Sequence, residues 1–102
     1  MLMGPEAKIE RRVAMIAERD LGVRSIKLNG PGVRGWPDRC FLIPRGRPLF
    51  IEFKAPGGTT SPRQDLMIGY LLKQGHDVEV HDNVEAALLA IRAAVKASTQ
   101  PI

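Results

Sequence analysis

A helix with clear start and stop signals separates two β-rich runs in the second half of the chain. In the run SPRQDLMIGYLLKQ, Ser61 is a good N-cap and Pro62 suits the first helical position, while Gly75 suits the left-handed residue that follows a helix. β-rich residues lie on both sides, at about 49–54 (LFIEFK) and about 77–81 (DVEVH). Because two strands joined through a helix need a right-handed crossover, we expect these two strands to be parallel.

The remaining segments complete a small α/β domain. Apolar residues recur at helical spacing over residues of about 5–20, and β-rich runs are present at about 24–28 and 39–43. The run at 39–43 is joined to the next one by PRGRP, which is typical of a short hairpin loop. Asn83 begins a last helix. The predicted order is α-β-β-β-α-β-α, a small mixed sheet flanked by helices.

Length and composition limit what this chain can be. Its 102 residues, 44% of them hydrophobic, suffice for one core, so we expect a single domain over residues 1–102 with a flexible tail at about 97–102. The lone Cys40 in an apolar run is typical of a reducing compartment, and no stretch is long and apolar enough to cross a bilayer. The net charge of +4 is compatible with an anionic partner, although charge alone is weak support.

Two isolated acids lie in the most basic part of the sequence. Between residues 21 and 64, Asp38 and Glu52 are the only acids among eight lysines and arginines. Taken singly, each acid is more often a salt-bridge partner than a catalyst, since surface ion pairs are common. However, a hairpin brings both acids to one region, in a register that the sequence leaves open. We expect both to point to the sheet face covered by the first helix, which carries Glu10.

Converging carboxylates beside basic residues suit a hard cation such as Mg²⁺. Because side chains alternate along a strand, Lys54 is expected on the same face as Glu52. There it would orient a nucleophile and offset the negative charge that develops on an attacked phosphate. The surrounding arginines would hold flanking phosphates. The residues therefore predict a divalent-cation site that acts on a polyanion. A DNA-binding module without catalysis, whose acids are merely salt-bridged, is the alternative.

The same residues resemble a known nuclease pattern. GWPD at 35–38, followed by EFK at 52–54, resembles the bipartite motif of the PD-(D/E)XK nuclease superfamily, and the element order is similar to its restriction-endonuclease-like core. More narrowly, RGWPD, IEFKAPGGTTSPRQ and LLKQGHDVEV resemble the VRR-NUC family, the virus-type replication-repair nucleases. This resemblance extends from Glu10 to about Val80.

The resemblance implies a Mg²⁺-dependent DNA endonuclease, with Mn²⁺ as a possible substitute. The implied metal ligands are Asp38, Glu52, the backbone carbonyl of Phe53 and Glu10, and the implied catalytic residues are Lys54, Asp38, Glu52 and Gln64. Small stand-alone members imply a homodimer that cuts branched DNA, such as Holliday junctions, in the cytoplasm of a bacterial or phage-infected cell. A flap or restriction-type nuclease is the alternative, although so short a chain has little room for a base-reading element.

The roles of Trp36, Gln64 and the helix from Pro62 each have two interpretations. The expected DNA contacts are Arg34, Arg39, Arg63, Lys27 and Trp36, and packing is the alternative role for the tryptophan. Gln64 is equally well explained by the capping box Ser61-Pro62-Arg63-Gln64. The helix from Pro62 is apolar on several faces, which predicts burial by a second subunit or by the last helix and loops.

Overall fold

The computed structural model describes residues 3–99, and its elements follow the predicted order. The helices are α1 (Pro5–Leu21), α2 (Pro62–Lys73) and α3 (Val84–Thr99), and the strands are β1 (Ser25–Lys27), β2 (Arg39–Phe41), β3 (Leu49–Phe53) and β4 (Asp77–His81). A short 3-10 helix at Pro31–Val33 lies in the loop between β1 and β2. Helix α3 continues to Thr99, so residues 97–99 are helical where a tail was expected, and the rest of that tail lies outside the described residues.

The four strands form one mixed sheet in the order β1-β2-β3-β4. The pairs β1–β2 and β2–β3 are antiparallel, and β3 is parallel to β4 across the crossover through α2. In the β2–β3 hairpin, Arg39 is paired with Ile51 and Cys40 with Phe50. The predicted α/β fold with its parallel pair is confirmed.

The hydrophobic core lies between the sheet and the helices α1 and α3. Ile51 and Phe53 of β3 are almost fully buried there, against Val13 of α1 and Ile91 of α3. Burial of each such side chain contributes roughly 1.5–3 kcal/mol to folding. Because side chains alternate along β3, Glu52 points away from this core to the opposite face of the sheet. Packing of Ile51 and Phe53 in the core therefore places Glu52 on the opposite face of the sheet.

The ends of the helices carry the signals that the sequence predicted. Ser61 Oγ accepts the backbone N–H of Gln64 at 3.2 Å, and Asn83 Oδ1 accepts that of Ala86 at 2.8 Å. Gly75, just beyond α2, has φ of 91°, which disfavours residues with a side chain.

Among residues 3–99, the structure contains no helix with the length and apolar character needed to cross a membrane.

Candidate active site

Asp38 and Glu52 meet at one end of the β2–β3 hairpin. The register pairs Arg39 with Ile51. One further step along the two antiparallel chains therefore sets Asp38 across from Glu52. The Asp38 carboxylate reaches over to β3, where its Oδ2 accepts the backbone N–H of Phe53 at 2.8 Å. The hairpin thus brings the two acids together and fixes the register that the sequence left open.

Glu52 is a buried carboxylate with an unsatisfied oxygen. Its side chain is 3% exposed, and its Oε1 has no hydrogen-bond partner among the described residues. Burial, followed by the negative charge of Asp38, raises the pKa of Glu52 to about 7, although the hydrogen bond from Lys54 acts in the opposite direction. A buried oxygen without a donor is costly unless something else satisfies it. This carboxylate is therefore poised to accept a positive ligand.

Asp38 is held in a similar environment. Burial raises the pKa of this carboxyl group, the N–H of Phe53 lowers it, and the charge of Glu10 raises it again. The positive charge of Lys27 acts in the lowering direction. Two neighbouring carboxyl groups with raised pKa values are a common mark of a functional site, because crowded negative charge needs a cation to offset it.

Lys54 lies beside Glu52 on the same face of β3, as the alternation of side chains predicted. Its Nζ lies 3.2 Å from Glu52 Oε2 and donates to Gln64 Oε1 at 2.7 Å, and its side chain is 13% exposed. Its backbone N–H donates to the carbonyl of His81 on β4 at 3.0 Å. An ammonium group has three donors, so one N–H remains for a substrate oxygen. The contribution of His81 comes from its main chain and left no signal in the sequence.

Gln64 forms the capping box that its sequence context predicted and also contacts Lys54 and Glu52, while its catalytic role stays a prediction. Its Oε1 accepts the N–H of Ser61 at 2.9 Å, which completes the capping box of α2, and also accepts Lys54 Nζ. Its Nε2 donates to Glu52 Oε2 at 3.1 Å. The cap therefore holds the amide in a fixed position between the lysine and the acid. Helix α2 and strand β3 are tied together at this point.

Glu10 forms no bond with Asp38 or Glu52, although its charge is close enough to raise the pKa of Asp38. Glu52 and Lys54 lie on the face that α1 does not cover, because β3 turns Ile51 and Phe53 toward α1. Glu10 lies on the α1 side, where its Oε2 accepts Lys27 Nζ at 2.6 Å and Arg39 Nε at 2.8 Å. Over residues 3–99, no group of three or more His, Cys, Asp or Glu side chains could hold a metal ion. Glu10 is thus held in an ion-pair network, and its expected role as a metal ligand stays a prediction.

This network also changes the expected DNA contacts. The side chain of Arg39 is 18% exposed, and its guanidinium group donates to Glu10 and to Ser25 Oγ at 3.0 Å. Arg39 is therefore a half-buried ion-pair partner of Glu10, and its expected contact with DNA stays a prediction. Lys27 keeps half of its side chain exposed and remains accessible beside Glu10.

Arg34 and Arg63 are exposed and form no ion pair with any described residue, as phosphate contacts require. The stem of Arg63 crosses the loop before Asp38, since a Cβ built on Gly35 would lie 2.6 Å from Arg63 Cγ. Gly35 also has φ of 82°, so this position needs glycine for two reasons. Trp36 packs edge-to-face against Phe50 at 6.2 Å and is half-buried, so packing is one of its roles.

Comparison with known proteins agrees with this arrangement. A family model described as the VRR-NUC domain matches residues 6–85, a range that includes both acids, Lys54 and Gln64. The chain belongs to the VRR-NUC family. A phage protein named "Putative nuclease p44", from Acyrthosiphon pisum secondary endosymbiont phage 1, is 40% identical over 65 residues, which cover 64% of this chain and 70% of the relative. The VRR-NUC domain described here is thus a nuclease domain.

Solved structures of VRR-NUC domains have the same fold. One, titled VRR_NUC domain, superposes with a TM-score of 0.76 and 25% identity, over 88% of this chain and 97% of its own. Another, titled VRR_NUC domain protein, gives a TM-score of 0.71 at 20% identity, over 94% and 92% of the two chains. The predicted family and fold are both confirmed.

The VRR-NUC site fits a divalent cation with two carboxylate ligands. Mg²⁺ is usually held by one or two carboxylates and completes its coordination with waters and substrate phosphate. Asp38 and Glu52 supply such a pair, and the partnerless Oε1 of Glu52 is an oxygen that a cation would satisfy. The backbone carbonyl of Phe53 lies in the residue between Glu52 and Lys54 and is the natural further oxygen. A third carboxylate from Glu10 is not required.

The double role of Gln64 leads to a prediction with a matched control. Ser61→Ala removes half of the capping box and should destabilise the domain by about 1 kcal/mol, with cleavage at saturating DNA unchanged. Gln64→Ala removes a similar capping bond and also the bonds to Lys54 and Glu52, so we expect an additional fall in cleavage rate of about 10-fold or more. Urea denaturation and single-turnover cleavage measure the two effects. Equal cleavage by both variants would restrict Gln64 to capping.

Proposed function

We propose that this VRR-NUC domain is a Mg²⁺-dependent endonuclease that hydrolyses phosphodiester bonds in DNA, with Mn²⁺ able to substitute. The observation that carries the proposal is the buried Oε1 of Glu52, which lacks a donor although Asp38 and Lys54 lie beside it. The cation, when bound, supplies positive charge at the scissile phosphate and activates water as the nucleophile.

The side chains of the domain have separate parts in this reaction. Asp38 and Glu52 hold the cation, and the N–H of Phe53 fixes the Asp38 carboxylate. Lys54 donates its remaining N–H to a non-bridging phosphate oxygen, where negative charge increases in the transition state. Gln64 keeps the ammonium group and the Glu52 carboxylate at hydrogen-bond distance from its own amide. Arg34 and Arg63 bind the phosphates on either side of the cut.

Branched DNA, in particular the four-way junction, is the proposed substrate. The described chain is short and has little surface for reading bases in a groove, so recognition by shape is favoured over recognition by sequence. The p44 relative comes from a phage, which fits action in a bacterial or phage-infected cell. A flap nuclease and a DNA-binding module without catalysis are the competing functions.

A cleavage panel separates these functions. Labelled four-way junction, flap and linear duplex are incubated with the protein in Mg²⁺ or in EDTA, and binding and cutting are followed in parallel. We expect the junction to be cut in Mg²⁺, whereas in EDTA it is bound and left intact. If the flap were cut in preference to the junction, the protein would be a flap nuclease and the junction substrate would be rejected. Binding without cutting in either Mg²⁺ or Mn²⁺ would leave only the binding module, and cutting in EDTA would exclude the metal-dependent reaction.

We also propose a homodimer, supported by the outer surface of α2. Leu66 and Tyr70, four residues apart on one side of the helix, are 77% and 54% exposed, so neither α3 nor the loops bury them in one subunit. Large apolar side chains grouped on one helix favour an isologous interface with a second copy. Two equivalent sites would allow paired cuts across a junction.

The dimer is tested by light scattering across a concentration series. We expect a dimer for the wild type and a monomer for a Leu66→Gln, Tyr70→Gln double variant, because each change removes apolar area from the interface. Leu89→Gln on α3, where the leucine is 63% exposed, is the control and should remain dimeric. A wild-type mass of one subunit at roughly 50 micromolar, well above a functional dissociation constant, would contradict the proposal.

A further inference from the structure

The N-terminal half of α1 carries a basic surface that the cleavage chemistry does not use. Lys8, Arg11 and Arg12 lie within two turns, at spacings that place neighbouring positions on one side of the helix. All three are exposed and form no ion pair with any described residue. Arg11 donates to the sulfur of Met3 at 3.4 Å, which leaves its charge uncompensated. We name these three cations the α1 basic surface.

The stability of the helix does not explain this surface. The helix dipole favours acids near the N-terminus and bases near the C-terminus. In α1, Glu6 in the first turn and Arg19 in the last turn follow this preference, whereas the three cations lie against it in the N-terminal half. Cations at adjacent turns repel one another, and no acid at i ± 4 balances them, since the nearest one, Glu10, is buried and bonded to Lys27 and Arg39. The three cations are therefore solvated and uncompensated within the described part of the chain, which leaves them available to an anionic partner.

Two clefts connect the α1 basic surface with Lys27, which lies next to the candidate active site. A cleft of about 260 Å³ lies between α1 and the sheet, and its lining includes Arg11, Lys27 and Arg39. A neighbouring cleft of about 330 Å³ on α1 also includes Arg11, together with Lys8 and Arg12. Lys27 is paired with Arg39 across β1 and β2, and the backbone N–H of the next residue, Leu28, donates to the carbonyl of Asp38 at 2.8 Å. Although Glu10 also lines the first cleft and bonds to Lys27, exposed cations thus lie along a path from beside Asp38 to the outer side of α1.

We propose that the α1 basic surface binds the phosphate backbone of a DNA arm that leaves the cleavage site. The inference rests on the proposed nuclease function and adds a second contact to it. From position 8 to position 12 the helix rises about 6 Å, which matches the rise of roughly two nucleotides of one strand. Guanidinium and ammonium groups without base-edge partners fit phosphates of any sequence. This contact supplies affinity and orientation, while Lys54 and the acids perform the cut.

The test compares two variants of equal charge. The α1 variant carries Lys8→Gln, Arg11→Gln and Arg12→Gln, and the control carries Arg45→Gln, Lys73→Gln and Arg92→Gln, three exposed cations elsewhere that also form no ion pair with any described residue. Glutamine is a good helix former, so both variants should fold, which a thermal melt checks. The probe is a labelled four-way junction with arms of about 12 base pairs, longer than the roughly 7 base pairs that α1 spans.

Binding is measured by fluorescence anisotropy in EDTA over a range of salt concentrations. We expect the α1 variant to lose about 10-fold or more in affinity, with a salt slope smaller by about 2 to 3, because each lost phosphate contact removes about 0.9. The control should change by less than about 3-fold, since net charge acts weakly at a distance in salt. In Mg²⁺ and saturating DNA, the α1 variant should cut at the wild-type rate. The charge-preserving variant Lys8→Arg, Arg11→Lys, Arg12→Lys should bind as the wild type does.

The outcomes distinguish this inference from the proposed function. Wild-type affinity and salt slope in the α1 variant, or an equal loss in the control, would overturn the inference while cleavage by the wild type stood. Weak binding by the charge-preserving variant would overturn it as well, because packing and not charge would then matter. A wild type that binds the junction and does not cut it would reject the nuclease, and the α1 comparison in EDTA would still decide on the basic surface.

Discussion

Lys54→Ala and Asp38→Asn are each expected to abolish cutting while leaving DNA binding in place. Removal of one group that stabilises transition-state charge typically lowers the rate by about 100-fold to 1,000-fold, and Lys54 is such a group in the proposed reaction. Asp38→Asn keeps an oxygen that can accept the N–H of Phe53, so the hairpin end is preserved while the negative charge is lost. The measurement is single-turnover cleavage of the junction at saturating Mg²⁺ and protein.

The matched control for the lysine is Lys73→Ala. Lys73 is an exposed residue in the last turn of α2, so its loss removes the same charge away from the site. It should cut as the wild type does, and anisotropy in EDTA should give similar affinities for all three variants. Full activity of Asp38→Asn would remove the basis of the metal-dependent reaction. Loss of binding together with cutting would instead indicate that the substituted residues mainly hold the substrate.

Glu52→Gln is expected to stabilise the metal-free protein at alkaline pH while it abolishes cleavage. The pKa of Glu52 is about 7 in the folded state and about 4.5 in the unfolded state. Between these values the folded protein binds more protons than the unfolded chain, so stability falls as the pH rises from 4.5 through 7. Above this window, deprotonation of Glu52 destabilises the wild type by about 3 kcal/mol, since a tenfold change in proton affinity corresponds to about 1.4 kcal/mol. Glutamine resembles the protonated acid and does not lose a proton.

Urea denaturation in EDTA at pH 5 and pH 8 measures this effect. The variant should exceed the wild type by about 3 kcal/mol at pH 8 and by less than about 1 kcal/mol at pH 5. Mg²⁺ should restore stability to the wild type at pH 8 and have little effect on the variant, because ligands that bind the folded state stabilise it. Glu85→Gln, at an exposed site in the first turn of α3, is the control and should show no such pH dependence. Parallel pH profiles for Glu52→Gln and wild type would contradict the role of this buried charge.

Local sequence signals were sufficient for the secondary structure and the topology. The cap at Ser61 and the left-handed Gly75 set the ends of α2, and the β-rich runs on either side required a parallel crossover. Such signals depend on a few neighbouring residues and their backbone preferences, so they can be read directly. Asp38 and Glu52 were noticed because they are isolated acids in a basic segment, and Lys54 because it follows Glu52 on the same strand face. The resemblance to the family motif then identified the family, which the match over residues 6–85 confirmed.

The partners of the charged side chains could not be read from the sequence. Glu10 was expected beside the two acids, yet the alternation of β3 turns Glu52 to the opposite face from α1. Arg39 was expected to contact DNA, whereas it is half-buried against Glu10, 29 positions away in the chain. Charges of one sign outnumber those of the other, so many pairings are compatible with the same sequence. The packing of α1 on the sheet selects one of them.

The sequence by itself determined the order of the elements, the parallel pair and the identity of the acid and lysine motif, because each depends on local spacing. Tertiary structure alone decided that Asp38 faces Glu52 at the hairpin end. It also decided that the side chain of Gln64, at the start of α2, bonds to both Glu52 and Lys54, and that one oxygen of Glu52 has no donor among the described residues. These features depend on how separate elements pack and on which groups are removed from water. They are set by long-range contacts that no local pattern encodes.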